Sequence, residues 1–78
     1  MPFYGETEFM SIFAQRLREC RNKTPYTQKD VAKLLDLGER QYTRYERDES
    51  EPTLSKLVKI ADFYDVSLDY LTGRVDEP

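Results

Sequence analysis

The stretch that decides the fold is Thr27–Arg47, TQKDVAKLLDLGERQYTRYER. Thr27 is a natural N-cap, and Asp30, three residues on, stands where a capping box has its acid. The apolar residues that follow repeat at helical spacing: Val31, Leu34 and Leu35. We therefore expect an amphipathic helix that begins just after Thr27.

The second half of this stretch carries a charged face. A break at residues 36–38 ends the first helix, and Gly38 has the permissive backbone at which a second helix can start. At about 100° per residue, Tyr42 and Tyr45 fall on one side of that helix. The opposite sector is polar: Arg40, Thr43, Arg44 and Arg47. A solvated surface is the commonest fate of such a row, but a helix with this arginine face, directly after a helix and a turn, also suits a nucleic-acid groove.

Helices are also expected on both sides of this stretch. A first helix should run from about Thr7 to Asn22, because Pro25 disfavours helix just before it. Its apolar residues should form a core stripe: Phe9, Ile12, Phe13, Leu17 and Cys20. The two central helices should span about Gln28–Leu35 and Glu39–Arg47.

Two more helices are expected towards the C-terminus. Thr53 can cap a helix that runs to about Tyr64, and Ser67 can cap a short one at Leu68–Leu71, with Gly73 as its stop. The apolar face of the longer helix should comprise these residues: Leu54, Leu57, Val58, Ala61 and Tyr64.

The composition indicates one small folded domain. The chain has 78 residues, of which 38% are hydrophobic, enough for a single compact core. No strand pattern or repeat appears, so we predict an all-α domain of five helices over residues 7–73, with short flexible termini at residues 1–6 and 74–78. No apolar run approaches the roughly 18 residues of a membrane helix, and no signal peptide is evident. We therefore expect a cytoplasmic protein with no membrane partner.

Few residues are suited to catalysis or metal binding. Cys20 is the only cysteine and there is no histidine, which excludes an internal disulfide, a cysteine–histidine pair and a histidine metal site. The three glycines are scattered and form no phosphate-binding loop. We expect the acidic pair Asp48-Glu49 to lie in a solvated loop. The sequence therefore predicts no enzyme, no cofactor, no metal and no small-molecule ligand.

The charge is unevenly distributed. The net charge is −3, which by itself counts against nucleic-acid binding. Residues 9–60, however, hold eleven Lys or Arg against eight Asp or Glu, and residues 61–78 hold one arginine against five acids. Distribution matters more than the sum, so a basic face in the middle of the chain remains compatible with the acidic total.

The chain resembles the Cro/C1-type, or XRE, family of helix-turn-helix repressors. The residues that carry the resemblance lie mainly in the central stretch: Thr27-Gln28, Val31-Ala32, Leu35, Leu37, Tyr42 and Arg44-Tyr45-Glu46. Pro52 and residues 65–71 fit the rest of the family pattern, so the likeness covers about residues 9–73. The family usually has glycine in the turn where this chain has Asp36, and aspartate tolerates a left-handed backbone better than most residues. The resemblance implies a five-helix, lambda-repressor-like fold whose third helix reads the major groove of double-stranded DNA.

The resemblance also implies a role for individual residues. Four positions match the family's base-reading residues: Glu39, Arg40, Gln41 and Arg44. Others correspond to phosphate contacts: Thr27, Gln28, Thr43 and Arg47. Arg21 and Glu46 match a structural ion pair between the first and third helices. A homodimer on a pseudo-palindromic operator is implied, with its interface at the last helix: Leu68, Tyr70 and Leu71.

Two functions compete at this point. The first is a sequence-specific DNA-binding regulator, a repressor by resemblance. The second is a protein-interaction module, antitoxin-like or DNA-mimicking, that keeps the fold and would suit the acidic total. The orientation of Arg40, Arg44 and Arg47 distinguishes them, because acids that surround these arginines in salt bridges would favour the second.

Overall fold

The computed structural model describes the backbone of residues 5–78 and the side chains of residues 12–78. It consists of five helices: α1 (Gly5–Asn22), α2 (Gln28–Leu34), α3 (Glu39–Glu46), α4 (Leu54–Tyr64) and α5 (Leu68–Leu71). The prediction of a five-helix, all-α fold is confirmed, and each helix ends within two residues of its expected limit. The expectations for residues 1–4 and for the side chain of Phe9 lie outside the described residues.

Short polar side chains fix the helix starts. The hydroxyls of Thr27, Thr53 and Ser67 accept hydrogen bonds from the backbone N–H three residues on, at the starts of α2, α4 and α5. Each bond satisfies a donor that the first helical turn leaves without a partner. The three caps predicted from the sequence are therefore present.

Aspartates in a left-handed conformation end three of the helices. Asp36, Asp48 and Asp65 have φ of 59°, 64° and 58° and follow α2, α3 and α4. After each aspartate, the N–H of the next residue donates to the carbonyl of the residue five positions earlier in the chain. The N–H of Leu37, for example, donates to the carbonyl of Ala32 at 2.8 Å. This arrangement matches the helix ending that normally uses glycine, and aspartate is one of the few other residues that adopt it readily.

The core lies where all five helices meet. Its most deeply buried side chains come from each helix in turn: Leu17, Val31, Tyr42, Ile60 and Leu71, all 0% exposed. The expected stripes on α2 and α4 need correction. On α2, Leu34 is 55% exposed, whereas Val31 and Leu35 are buried. On α4, Leu54 and Val58 are 71% and 39% exposed, because this helix directs Ile60 and Ala61 into the core.

The C-terminal segment packs on α1 and α5. Arg16 of α1 stacks over the ring of Tyr70, 4.3 Å from its centroid, donates to the carbonyl of Val75 and pairs with Asp76 at 3.2 Å. The N–H of Ser67 donates to the carbonyl of Pro78 at 2.9 Å. Residues 74–78, expected to fray, are instead tied to the domain by these bonds. None of the helices formed within residues 5–78 has both the length and the apolar character needed to span a bilayer.

Candidate nucleic-acid interface

A capping box sets the start of α2. The Thr27 hydroxyl accepts from the N–H of Asp30 at 3.1 Å, and the Asp30 carboxylate accepts from the N–H of Thr27 at 3.0 Å. The bond from the Thr27 N–H to the charged carboxylate is the largest cause that lowers the pKa of Asp30, and the Thr27 side chain lowers it further. The direction of α2, and with it the position of Gln28 one residue on, is thereby fixed.

The turn between α2 and α3 depends on Asp36. Asp36 has the positive φ, whereas Gly38, expected to supply the permissive backbone, has φ −68° and ψ 144°. Any residue can adopt those angles. The left-handed conformation expected to be tolerated at Asp36 is therefore confirmed, and the freedom of glycine is not used at Gly38.

Helix α3 has two distinct faces. Tyr42, Tyr45 and Glu46 are 0%, 2% and 1% exposed, so the expected burial of the tyrosines is confirmed. The opposite side is open to solvent, with Arg44 and Arg47 exposing half or more of their side chains. An open groove on this side is lined by six side chains: Glu39, Arg40, Thr43, Arg44, Arg47 and Glu49.

Glu46 is the centre of a hydrogen-bond network beneath this face. Arg21 donates to both carboxylate oxygens, from Nε at 2.8 Å and from Nη2 at 3.2 Å, and Gln28 Nε2 donates to Oε1 at 2.9 Å. Arg18 of α1 donates to the backbone carbonyl of Glu46. The ion pair implied by the resemblance is thus present, and it ties α1, α2 and α3 together.

The network determines the charge state of Glu46. Burial, the largest single effect, raises its pKa, but bonds from Arg21, Tyr42 and Gln28 and the charge of Arg21 together lower the pKa below the ordinary value. The same bond raises the pKa of Arg21. The carboxylate is therefore ionised and paired at neutral pH.

Two tyrosines extend the network to α4. The hydroxyls of Tyr42 and Tyr64 lie 2.7 Å apart. Burial raises the pKa of Tyr42, and burial also raises that of Tyr64, to about 12. Both rings therefore stay neutral and hydrogen-bonded at physiological pH. Sequence reasoning assigned Tyr64 only to the apolar face of α4 and missed this polar contact.

Gln28 braces α3. Its amide nitrogen is engaged by Glu46, and its amide oxygen lies 3.5 Å from the hydroxyl of Thr43 as acceptor. Gln28 is half-buried whereas Thr27 is exposed. Of the two residues that start α2, Thr27 therefore presents its side chain to solvent, and Gln28 uses most of its hydrogen-bonding capacity within the protein.

One acid, Glu49, is paired with two of the exposed arginines. Glu49 lies 3.4 Å from Arg47 and 3.9 Å from Arg44, while Arg40 has no ion pair within residues 12–78. The groove lining holds three arginines against Glu39 and Glu49. The face therefore keeps a positive excess, and the interaction-module alternative gains no support. Sequence reasoning treated Glu49 as a solvated loop residue and did not expect these pairs.

The implied dimer residues lie mostly inside the chain. Leu71 is 0% and Tyr70 8% exposed, and Leu68 is partly buried against the core. Tyr70 and Leu71 therefore pack within their own chain in this conformation, and Leu68 alone of the three keeps part of its surface open.

The chain matches a known protein family. The helix-turn-helix family model matches residues 17–71. The HTH-type transcriptional regulator ImmR of Bacillus subtilis is 43% identical over 60 residues, which cover 77% of this chain and 47% of ImmR. The cryptic phage CTXphi transcriptional repressor RstR of Vibrio cholerae is 38% identical over 60 residues, 77% of this chain and 54% of RstR. The chain thus spans about half the length of these relatives.

A solved structure extends the likeness to the fold. The restriction-modification controller protein C.AhdI from Aeromonas hydrophila superposes with a TM-score of 0.75 at 26% identity, covering 87% of this chain and 99% of C.AhdI. Residues 17–71, matched by the family model, include both central helices and the network beneath them.

Proposed function

Because the chain belongs to the helix-turn-helix family, of Cro/C1 (XRE) type, we propose that it is a sequence-specific DNA-binding transcriptional regulator, a repressor acting in the cytoplasm. The observation that carries the proposal is the division of α3 into a buried tyrosine face and a solvent-open arginine face. An α-helix fits the major groove of B-DNA, and the network around Glu46 holds this one rigidly against α1 and α2.

Base recognition is assigned to the groove side of α3. Arg40 and Arg44 are exposed and one helical turn apart, and each guanidinium can grip guanine through O6 and N7. Gln41 can pair with adenine in the same way, and Glu39 can accept from cytosine N4. Glu39, Arg40 and Gln41 lie in the first turn of α3, the part that enters the groove in this class of motif, and Arg44 lies one turn further on.

Backbone contacts are assigned to the rim of the face. Arg47 follows the last turn of α3, and the exposed Thr27 hydroxyl stands at the start of α2. Thr43 lies beside Gln28, with its hydroxyl 3.5 Å from the Gln28 amide oxygen. Gln28 keeps its proposed phosphate contact only through the amide hydrogen that does not face Glu46, so its main role is to brace α3.

Action as a homodimer on a pseudo-palindromic operator completes the proposal. One short helix reads too few base pairs for useful specificity, and paired half-sites lie about 34–36 Å apart on B-DNA. The α5 end of the domain is proposed as the contact surface, carried by Leu68 and its exposed neighbours, since Tyr70 and Leu71 are buried. Footprinting that protected one half-site at saturation would exclude this arrangement.

The function is tested by capture of genomic DNA fragments on the purified protein, followed by sequencing. The expected result is enrichment of a short motif with two-fold symmetry. A variant with Arg40, Arg44 and Arg47 all changed to Ala serves as the matched control, because these side chains are exposed and their loss should leave the fold intact. Equal recovery of fragments by both proteins would contradict the proposal.

A further inference from the structure

We propose that Glu49 is an internal competitor of DNA phosphates, which occupies Arg44 and Arg47 in the free protein and weakens binding to duplex DNA of any sequence. The inference rests on the DNA-binding function proposed above. It gives a role to the one carboxylate that the structure places in ion pairs on the arginine face.

The geometry is that of a carboxylate shared between two guanidinium groups. One oxygen of Glu49 lies 3.9 Å from Nε of Arg44, and the other lies 3.4 Å from Nε of Arg47. The three side chains are 50%, 65% and 42% exposed for Arg44, Arg47 and Glu49. Exposed pairs at these distances are weak enough to open, so a phosphate can replace the carboxylate.

The position of Glu49 is fixed by the backbone. It follows Asp48, whose φ is 64°, and its N–H donates to the carbonyl of Arg44 at 2.9 Å. This turn reverses the chain at the end of α3 and directs the Glu49 side chain back along the helix, where it lines the groove with Arg40 and Thr43. The carboxylate therefore stands where the duplex backbone would pass.

Two effects of this position oppose DNA binding. A phosphate that approaches Arg44 or Arg47 must first displace the Glu49 carboxylate, and the carboxylate then repels the phosphate across a short distance. Binding to DNA without sequence preference relies on contacts between arginine or lysine and phosphates. Removing the charge of Glu49 should consequently strengthen such binding and increase the number of counterions released.

The experiment measures binding to a short mixed-sequence duplex by fluorescence anisotropy at several salt concentrations. We expect Glu49→Gln to bind about two- to fivefold more tightly, the range of one exposed ion pair, and its salt slope to steepen by about one unit. Glu51→Gln is the matched control, because Glu51 is an exposed carboxylate in the same loop with no ion pair within residues 12–78. Glu51→Gln changes the net charge by the same amount as Glu49→Gln and should increase the affinity for the duplex less.

The combination with Arg44→Ala and Arg47→Ala tests the mechanism. In that background Glu49→Gln should lose most of its effect, because neighbouring residues that interact give non-additive changes. Unchanged affinity of Glu49→Gln, or an equal gain from Glu51→Gln, would overturn the inference while the DNA-binding function stands. Absence of salt-dependent binding by the unmodified protein would overturn both.

Discussion

The carboxylate of Glu46, whose side chain is fully shielded from solvent, accepts a hydrogen bond from Nε of Arg21 at 2.8 Å, whereas the Arg21 side chain is 20% exposed. The pair is therefore asymmetric: without Glu46, Arg21 could still reach water, but without Arg21 the carboxylate stays buried. Loss of Arg21 should be the more damaging change.

Arg21→Ala should lower the free energy of unfolding by about 3–5 kcal/mol, the usual effect of leaving a buried charge uncompensated. Urea denaturation at neutral pH measures the change. Arg74→Ala is the control, because the Arg74–Asp69 pair is 77% and 61% exposed and such surface pairs contribute little. An equally small effect of both substitutions would mean that the Arg21–Glu46 pair does not stabilise the fold.

Acid should weaken the fold through Glu46. Its pKa is lowered in the folded protein from the ordinary value of 4.5, so the folded state binds its proton less readily than the unfolded chain. The associated stability is complete above the unfolded pKa and is lost as pH falls through the folded pKa. Thermal unfolding between neutral pH and pH 3 should show Glu46→Gln to be less stable at pH 7, with a difference that narrows in acid. A constant difference across this range would argue against the assignment.

Alkali should weaken the fold through the two linked tyrosines. Burial raises the pKa of Tyr64 to about 12 and also raises that of Tyr42, so the stability they contribute is complete below the unfolded value of about 10 and falls as pH rises above it. Tyr64→Phe should flatten this decline when unfolding is followed between pH 9 and 12. Tyr26→Phe, at a ring that is 40% exposed, should leave the decline unchanged, and an identical profile for both variants would refute the link.

The turn before α3 should tolerate glycine but not a β-branched residue. Asp36 has φ 59°, where ordinary L-residues are strained by roughly 1–2 kcal/mol. Asp36→Gly should therefore change stability by less than about 1 kcal/mol, since relief of strain is offset by a more flexible unfolded chain. Asp36→Val should destabilise by more. Chemical denaturation measures both, and equal stability of the two variants would show that the backbone of this turn adjusts freely.

Arg40 and Arg44 should specify sequence, and Arg47 should position the protein. Replacing Arg40 or Arg44 by Ala should weaken operator binding by about 1–3 kcal/mol and relax preference at one base pair. Replacing Arg47 should weaken all sequences alike and lower the salt slope by about one unit. Titrations against the operator and single-base variants separate these results. If Arg44→Ala lost the same affinity for every sequence, the assignment of Arg44 to base recognition would be wrong.

Sequence reasoning succeeded where local chemistry decides the structure. Thr27, Thr53 and Ser67 were identifiable as caps because a short hydroxyl before an apolar run has few other uses. The inward face of α3 was predictable because Tyr42 and Tyr45 share one side of a short helix. The left-handed conformation of Asp36 agrees with the tolerance expected at this position of the turn, whereas Gly38, expected to give α3 a permissive start, has angles that any residue can adopt.

The remaining features depend on contacts between distant segments. Val58 and Ile60 are both apolar, and only the packing of α4 on its neighbours decides that Ile60 is buried and Val58 exposed. The contact of Tyr42 with Tyr64 joins residues 22 positions apart, which no periodicity indicates. The bond of Arg16 to the tail likewise spans 59 positions, so a segment that looked loose is fixed by a helix at the other end of the chain.

The bonds that converge on Glu46 also bear on how the domain opens. Since this one residue of α3 accepts from Arg21 of α1 and Gln28 of α2, neither neighbour can separate from α3 without exposing a buried charge. The amide hydrogens of α2 and α3 should then exchange with deuterium as one cooperative unit, with similar opening free energies. The helix that we propose to read DNA would then open only together with its supporting helices, which would keep its arginines in position between encounters with the duplex.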